Sequence, residues 1–247
     1  MDGSAISVAS FFGITGLYML RGWSRDARGA NASTSKSSKS GTGSLSSSKS
    51  KSKFDVVFVL GGPGSGKGTQ CELIIEEFPQ FGFFSAGDLL REERKKPGSK
   101  VGKMINDKIS NGEFVPASVT VELLKQAMIT AAENNCKSFI IDGFPRNLDN
   151  VEVWGDIMEE VTDVKFCLFL DCPEGVMKER ILERGKTSGR NDDNIKTLVK
   201  RFRNFEKDTI PIVDRFEKDG KLRKVKADRP VETVKREVFD IFRQEFR

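Results

Sequence analysis

The sequence predicts an α/β protein in which a parallel sheet is covered by helices on both faces. Short apolar segments of strand length alternate with amphipathic segments of helical length, and this alternation is typical of βαβ units. The strand segments are apolar throughout rather than at every second position, which indicates burial on both sides. The first of them, 56–60, runs directly into a glycine-rich loop and then a helix. These observations favour a three-layer αβα fold.

The predicted strands and helices follow one another in a regular order. The strand segments are rich in β-branched and aromatic residues, and the helical segments carry apolar residues three and four positions apart. The helix after residue 194 is expected to bend at Pro211, because proline removes a backbone N–H from a helix. Expected strands cover 56–60, 83–85, 138–142, 164–170 and 222–225. Expected helices cover 71–78, 99–109, 118–132, 175–185, 194–217 and 231–242, with another around Trp154.

The first 53 residues differ in composition from the rest of the chain. They hold eight Lys and Arg against two Asp and Glu, so the whole-chain net charge of +5 leaves residues 54–247 at −1. Residues 30–53 are rich in Ser, Lys and Gly, which predicts a flexible linker. We therefore expect an N-terminal extension over 1–53 and one domain over 54–247. The nearly neutral domain offers no basic surface for nucleic acid.

The segment 3–20 of this extension is apolar and uncharged, and basic residues follow it at Arg21, Arg25 and Arg28. It is a marginal membrane span, since a span needs about 20 strongly apolar residues. No basic region precedes it, so a secretory signal is disfavoured. A mitochondrial address, a cytosol-facing membrane anchor and a free extension all remain open. We expect the domain itself to be cytoplasmic and monomeric.

Histidine and cysteine usage excludes several kinds of site. The chain contains no histidine, so no mechanism can use a histidine base. Its four cysteines form no C-x-x-C pair, which argues against a zinc site and against a disulfide scaffold. Reduced, buried thiols are the expectation.

The loop after the first strand has the spacing of a phosphate-binding loop. It reads Gly-Gly-Pro-Gly-Ser-Gly-Lys-Gly-Thr over 61–69, and such a loop directs backbone N–H groups and a helix N-terminus at a polyphosphate. The usual motif has Ser or Thr directly after the lysine to hold magnesium, but Gly68 intervenes before Thr69. The metal is therefore expected to be held mainly through water and phosphate. The residues expected to bind the polyphosphate of a nucleotide here are Gly64, Ser65, Gly66, Lys67, Gly68 and Thr69.

Arginines and one carboxylate lie where strands and helices end. Guanidinium groups suit phosphate oxygens, although any one of them alone is more often a surface charge. Asp142 ends a predicted strand, so it lies at the edge where ligands of parallel sheets bind. We expect it to orient magnesium-bound water rather than to bind the metal directly. The arginines are Arg91, Arg146, Arg184, Arg190 and Arg201.

Four motifs in order resemble those of the adenylate kinase family of nucleoside monophosphate kinases. They occupy 62–69, 85–91, 142–146 and 184–190, and the resemblance extends over 54–246. The Gly-Lys-Gly-Thr form of the loop is normal for that family. The resemblance implies a P-loop fold with an acceptor segment over 85–115 and a short lid over 184–194, and phosphoryl transfer from MgATP to a nucleoside monophosphate.

The resemblance also implies roles for individual residues. Lys67 bridges the phosphates of ATP and the transition state, Arg91 and Arg146 hold the acceptor phosphate, and Arg184 lies near the donor. Arg190 and Arg201 reach the transferring and acceptor phosphates, and Arg229 lies where the family's backbone touches the donor base. The implied acceptor site comprises Arg91, Glu113, Phe114, Val115, Gly143, Phe144, Pro145, Arg146, Asn150, Arg190 and Arg201.

Two asparagines point to the acceptor base. Adenylate kinases usually carry Thr and Gln where this chain has Asn147 and Asn150, and Ala86 replaces another threonine. This pattern resembles the pyrimidine-specific members, which take CMP, UMP and dCMP. An amide offers a donor beside an acceptor, so we expect Asn150 to read cytosine or uracil by flipping and Asn147 to shape the pocket or cap a helix. AMP as acceptor is the nearest alternative; a nucleotide-dependent switch or assembly ATPase and an inactive scaffold are more distant ones.

Overall fold

A five-stranded parallel sheet forms the centre of the protein. The computed structural model describes residues 53–186 and 195–247. All neighbouring strands are parallel, in the order β2-β3-β1-β4-β5. This confirms the α/β fold class. The strands are β1 (Phe54–Gly61), β2 (Phe81–Ser85), β3 (Ser138–Asp142), β4 (Thr162–Asp171) and β5 (Leu222–Lys226).

Helices connect consecutive strands and cover the sheet. Several begin at a proline or at a capping serine, as helix starts commonly do; Ser99 Oγ, for example, accepts a hydrogen bond of 2.9 Å from the backbone N–H of Gly102. The helices are α1 (Lys67–Glu77), α2 (Ala86–Glu93), α3 (Lys100–Ser110), α4 (Ala117–Glu133), α5 (Leu148–Met158), α6 (Glu174–Gly185), α7 (Ile195–Asn204), α8 (Ile210–Lys218) and α9 (Val231–Glu245).

Both faces of the sheet are buried, which explains why its strands lack alternation. In β1, Val57 and Val59 face one apolar cluster, which includes residues of α1, α6, α7 and α9. Val56, Phe58 and Leu60 face the other, which includes residues of α4, α5 and α8. Successive strand residues point to opposite faces, so a strand between two helical layers needs apolar side chains at every position.

The helical run after residue 194 is irregular, and its irregularity is not where the sequence analysis placed it. A π-helical segment, Phe205–Thr209, separates α7 from α8, and Pro211 lies in the first turn of α8. Proline disturbs the turn that precedes it, because it offers no N–H to the carbonyl four residues earlier and its ring crowds that carbonyl. The expected bend at Pro211 is therefore corrected to a π segment over the preceding residues.

The N-terminal extension falls almost entirely outside the described residues. The segment 3–20 and residues 30–52 of the linker are among those not described. None of the helices described within 53–186 and 195–247 combines the length and the apolar character needed to cross a membrane.

An aromatic cluster between α9 and the sheet offers a test of core packing. Phe242 is 1% exposed and its ring centroid lies 5.5 Å from those of both Phe81 and Phe166. We expect Phe242→Ala to lower the free energy of unfolding by about 3–5 kcal/mol, because it removes these contacts and leaves a cavity. Urea unfolding measures the change. Leu182→Ala, at a side chain 47% exposed, is the control and should change stability by less than about 0.5 kcal/mol; equal effects would contradict this packing.

Candidate active site

The pairing of β1 with β3 brings two loops together at one edge of the sheet. The strands are parallel, with Val59 beside Asp142, and the N–H of Gly143 donates to the carbonyl of Val59 over 3.0 Å. Parallel strands end at the same edge, which is where ligands bind in such sheets. The loop that follows β1 therefore lies next to the loop that follows β3.

Close packing shapes the glycine loop between β1 and α1. A Cβ added to Gly61, whose φ is +152°, would lie 2.6 Å from Ser65 Oγ and 2.8 Å from the carbonyl of Leu170. One added to Gly64, whose φ is +83°, would lie 2.5 Å from the carbonyl of Met177. Glycine is thus required at both positions, because the loop packs directly against β4 and α6.

Lys67 begins α1 and turns back over this loop. Its ammonium donates to the carbonyls of Gly61 and Gly62 over 2.8 and 2.9 Å. Burial lowers the pKa of Lys67 to about 8, while the Asp142 carboxylate opposes that shift. The cation thus lies at the helix N-terminus, where the backbone dipole also favours an anion. The arrangement suits a polyphosphate.

Asp142 is the anionic partner of this lysine. Burial raises the pKa of its carboxyl group, and Lys67 and Arg146 act in the opposite direction. Within the part of the chain that the structure describes, the buried Oδ1 atom of Asp142 has no hydrogen-bond partner. A buried carboxylate oxygen that lacks a donor suits a water molecule, or the water shell of a cation.

A cleft at this edge brings together most of the residues expected at the acceptor site. Lys67, whose ammonium is bonded to the phosphate loop, lines this cleft together with three arginines. The expected residues that line the cleft are Lys67, Arg91, Glu113, Phe114, Val115, Gly143, Phe144, Arg146, Asn150 and Arg201. Four cations thus line a single cleft, and such a concentration favours a ligand with several phosphate charges.

Two of these arginines lie side by side. A Cβ added to Gly87 would lie 3.2 Å from Arg91 Nη1 and 3.5 Å from Arg146 Nη2, so both guanidinium groups lie close to this glycine. Arg91 also donates from Nε to Asp88 Oδ1 over 3.0 Å, and Arg146 donates from Nε to the carbonyl of Gly143 over 2.6 Å. These bonds fix the planes of the two guanidinium groups, which can then hold an anion between them.

The two asparagines have different roles in the structure. Asn147 caps α5, since its Oδ1 accepts a hydrogen bond of 2.9 Å from the backbone N–H of Asn150. Asn150 is 5% exposed, and its Oδ1 accepts a bond of 3.1 Å from the backbone N–H of Arg146. A flip of the Asn150 amide would point its NH2 group at another N–H donor. The expected flip is therefore disfavoured, and the amide orientation is fixed by the backbone.

Other expected site residues lie outside this cleft lining. Ser65 is buried in the phosphate loop between Gly64 and Gly66, while Gly68 and Thr69 are exposed in the first turn of α1. Pro145 is buried and lines a second groove on the other side of its loop, together with Trp154.

The remaining expected arginines lie further along the chain. Arg184 is in the last turn of α6. Arg229 lies between β5 and α9, where it pairs with Glu237 and donates from Nε to the carbonyl of Lys226. Arg190 lies outside the described residues, as do all lid residues from 187 to 194.

The cleft also contains residues that sequence reasoning did not single out. Gly87 lies within the recognised motif 85–91 and could have been found there, beside Ala86, which the sequence analysis noted only as the replacement of a threonine. Thr120, Asn204, Phe205 and Thr209 gave no signal, since each lies in a helical stretch with no motif. They reach the cleft only because α4 and the α7–α8 run pack against its sides. Thr209 Oγ1, for example, donates to the carbonyl of Arg146 over 2.8 Å.

Within 53–186 and 195–247, no group of three or more His, Cys, Asp or Glu side chains could hold a metal ion directly. All four cysteines lie in the described part as free thiols; Cys71, Cys167 and Cys172 are buried as expected, whereas Cys136 is only partly buried. The Asp142 carboxylate interacts electrostatically with Lys67, and its buried Oδ1 could accept from the water shell of a cation.

Comparison with known proteins bears on this geometry. The family model described as "Adenylate kinase" matches residues 59–221. The chain belongs to the adenylate kinase family. Its enzymatic class, that of a nucleoside monophosphate kinase, confirms the sequence prediction. The chain is 50% identical to "UMP-CMP kinase" of Gallus gallus over 192 residues, which are 77% of this chain and 97% of that protein.

Other family members give the same picture. The chain is 48% identical to "UMP-CMP kinase" of Homo sapiens, again over 77% of this chain and 97% of that protein. It is 47% identical to "Uridylate kinase" of Saccharomyces cerevisiae over 76% of this chain and 90% of that protein. The matched length covers nearly all of each relative, so the similarity extends well beyond the phosphate loop.

The pKa of Lys67 leads to a pH-dependent prediction for this family member. Its free ammonium loses a proton as the pH rises through about 8, whereas a bound polyphosphate favours the charged form. At pH 9, ATP binding should therefore be accompanied by proton uptake, and at pH 6.5 Lys67 should contribute none. Calorimetry in two buffers with different ionisation enthalpies measures the uptake.

Lys67→Met is the matched variant for that measurement. It should fold, lose at least about 100-fold in turnover and show no extra proton uptake at pH 9. Equal uptake in the variant and the parent protein would mean that another group titrates. Turnover close to that of the parent would remove Lys67 from the chemistry.

Proposed function

We propose that this protein transfers the γ-phosphoryl group of MgATP to a pyrimidine nucleoside monophosphate, CMP, UMP or dCMP. The products are ADP and the pyrimidine nucleoside diphosphate. The observation that carries the proposal is the position of Lys67 between a phosphate loop and a cleft lined by Arg91, Arg146 and Arg201. Such a site has a place for two phosphorylated ligands, one on each side of the lysine.

The proposed mechanism is direct in-line transfer. The acceptor phosphate is largely dianionic at neutral pH, since its second pKa is about 6, and its oxygen is already a nucleophile. No protein base is needed, which suits a chain that contains no histidine. Lys67 and the arginines hold the two phosphate groups in line and stabilise the charge that moves between them. We assign Arg91 and Arg146 to the acceptor phosphate and Arg201 to the transferring group.

Magnesium is the cofactor that fits this site. The Asp142 carboxylate, with its buried Oδ1 unpartnered among the described residues, would hold water of the ion's shell, and Thr69 lies in the exposed first turn of α1. When bound with ATP, magnesium neutralises charge on the β- and γ-phosphates. The protein's own part is to orient Asp142 and to keep Lys67 charged opposite it.

The proposed acceptor base is a pyrimidine. Because Asn150 Oδ1 accepts from the backbone of Arg146, Asn150 Nδ2 is the amide group that can donate to a base. Uracil offers O4 and cytosine offers N3 as acceptors, so one fixed donor can serve both without a flip. The names of the relatives from Gallus gallus and Saccharomyces cerevisiae support this choice of substrate. The less favoured candidate is AMP.

An acceptor panel tests the proposal. The full chain is supplied with MgATP and with CMP, UMP, dCMP or AMP, and ADP formation is followed. We expect CMP and UMP to react at least about 100-fold faster than AMP, in kcat/KM, because a purine is larger than the pyrimidine base that Asn150 is proposed to recognise. Preferential reaction with AMP would overturn the substrate assignment. ATP hydrolysis that needs no monophosphate would indicate a switch or assembly ATPase.

Asn150→Ala tests the contact with the base. Loss of one buried hydrogen bond should raise the KM for CMP or UMP about 10-fold, and the KM for ATP should stay within about 2-fold. Asn134→Ala, at the exposed end of α4, is the matched control and should change neither constant. Equal increases in both constants would remove Asn150 from acceptor recognition.

A further inference from the structure

Helix α7 holds the end of the acceptor segment as well as a cleft arginine. Lys200 Nζ donates to the carbonyl of Asn111 over 3.1 Å, and Asn204 Nδ2 donates to the carbonyl of Gly112 over 3.1 Å. Lys200 and Asn204 are four positions apart, so they lie on the same face of α7. We call this pair of bonds the α7 clasp. It joins two consecutive carbonyls of one segment to one face of another helix.

The carbonyls in the clasp are exposed by the way α3 ends. Asn111 follows the last residue of α3, and Gly112 has a φ of +67°. The N–H groups of Gly112 and Glu113 bond back to the carbonyls of Ile109 and Lys108 over 3.0 and 2.9 Å. Such an ending satisfies the carbonyls of the last turn but directs the next ones away from the helix. The helix dipole also makes this end negative, which favours a lysine beside it.

Gly112 allows the two elements to approach closely. A Cβ on this residue would lie 3.4 Å from Lys200 Cβ and 3.5 Å from the carbonyl of Thr197. The positive φ of Gly112 would strain the backbone of any residue with a side chain, and the distances show that the turn lies in van der Waals contact with α7. The turn after α3 is thus packed against the helix as well as bonded to it.

The clasp joins the segment that forms one wall of the cleft to the helix that carries Arg201. Immediately after Gly112, the chain runs through Phe114 and Val115 along the wall of the cleft, and Arg201 reaches the same cleft from α7. We infer that Lys200 and Asn204 are positioning residues that hold the acceptor segment at a fixed distance from Arg201 and Lys67. The inference rests on the proposed function, because it assigns the acceptor nucleotide to this wall.

Asn204 could contact the acceptor directly or act only as part of the clasp, and a substitution of Lys200 distinguishes these two roles. Asn204 lines the cleft, so it could touch the acceptor directly, whereas Lys200 is exposed and is not among the residues that line the cleft. A clasp requires both side chains. A direct contact requires only Asn204. The two substitutions Asn204→Ala and Lys200→Met therefore distinguish the readings, and Lys200→Met keeps the aliphatic part of the side chain that packs on Gly112.

Kinetics provide the first measurement. With CMP or UMP as acceptor, we expect Asn204→Ala to raise the acceptor KM about 5-fold, because it removes a hydrogen bond between neutral groups. We expect Lys200→Met to raise it about 2-fold, because the lost bond is made by an exposed ammonium group. The KM for ATP and the urea midpoint should match those of the control Asn106→Ala, an exposed site on α3 of the same segment. An increase in Asn204→Ala alone would indicate direct contact and overturn the clasp. Unchanged acceptor constants in both variants, or parallel changes in both KM values, would overturn it too.

Hydrogen exchange provides a measurement that does not depend on turnover. Both variants should show faster exchange than the parent at the amides of Gly112 and Glu113, because the turn after α3 is no longer held on α7. Asn106→Ala should exchange like the parent at these amides. Unchanged exchange in the two clasp variants would overturn the clasp. If the parent protein phosphorylates no pyrimidine nucleotide but the exchange result holds, then the proposed function fails and the structural clasp stands.

Discussion

Parallel hydrogen bonding between β1 and β3 determines where the charged groups of the site meet. It places Val59 beside Asp142, so the phosphate loop after β1 and the arginine-bearing loop after β3 begin at the same edge. A parallel pair requires a long crossover, and here the crossover contains α1, β2, α2, α3 and α4. The acceptor segment is part of this connection. The connection required by this pairing therefore also carries the segment that lines one side of the cleft.

The opposite charges of Lys67 and Asp142 offset the free-energy cost of burying either charge at this edge of the sheet. Burial lowers the pKa of the lysine and raises that of the carboxyl group, and each group opposes the other's shift. Either charge alone would be costly at this depth, since removal of one partner leaves the other unpaired. Arg146 and Arg201 add further positive charge near Lys67. Such a concentration of positive charge on one cleft favours a polyanionic ligand.

The sequence predicts the fold well where local pattern and burial agree. Strand β3 is found over Ser138–Asp142 as expected, because its apolar run is bounded by polar residues. The phosphate loop was located because glycines at Gly61 and Gly64 leave a visible spacing. Strand β2 begins at Phe81, two residues earlier than expected, because Gly82 interrupts the apolar run. The π segment before Pro211 has no distinctive composition. The position of the π segment depends on Pro211, which offers no N–H to the carbonyl of the preceding turn. It also depends on tertiary contacts such as the hydrogen bond from Thr209 to the carbonyl of Arg146.

Sequence reasoning does not tell which backbone group each polar side chain of the site forms a hydrogen bond with. Asn150 and Asn204 are the same residue type, and no local pattern says that one accepts from the N–H of Arg146 while the other donates to the carbonyl of Gly112. These bonds join positions 4 and 92 residues apart. The second exists only because α3 ends in a positive φ that turns a carbonyl towards α7. Motifs therefore identify the charged groups that line the cleft, whereas tertiary packing decides how those groups are held in register. In this protein a single helix, α7, supplies both an arginine to the cleft and the support for the opposite wall.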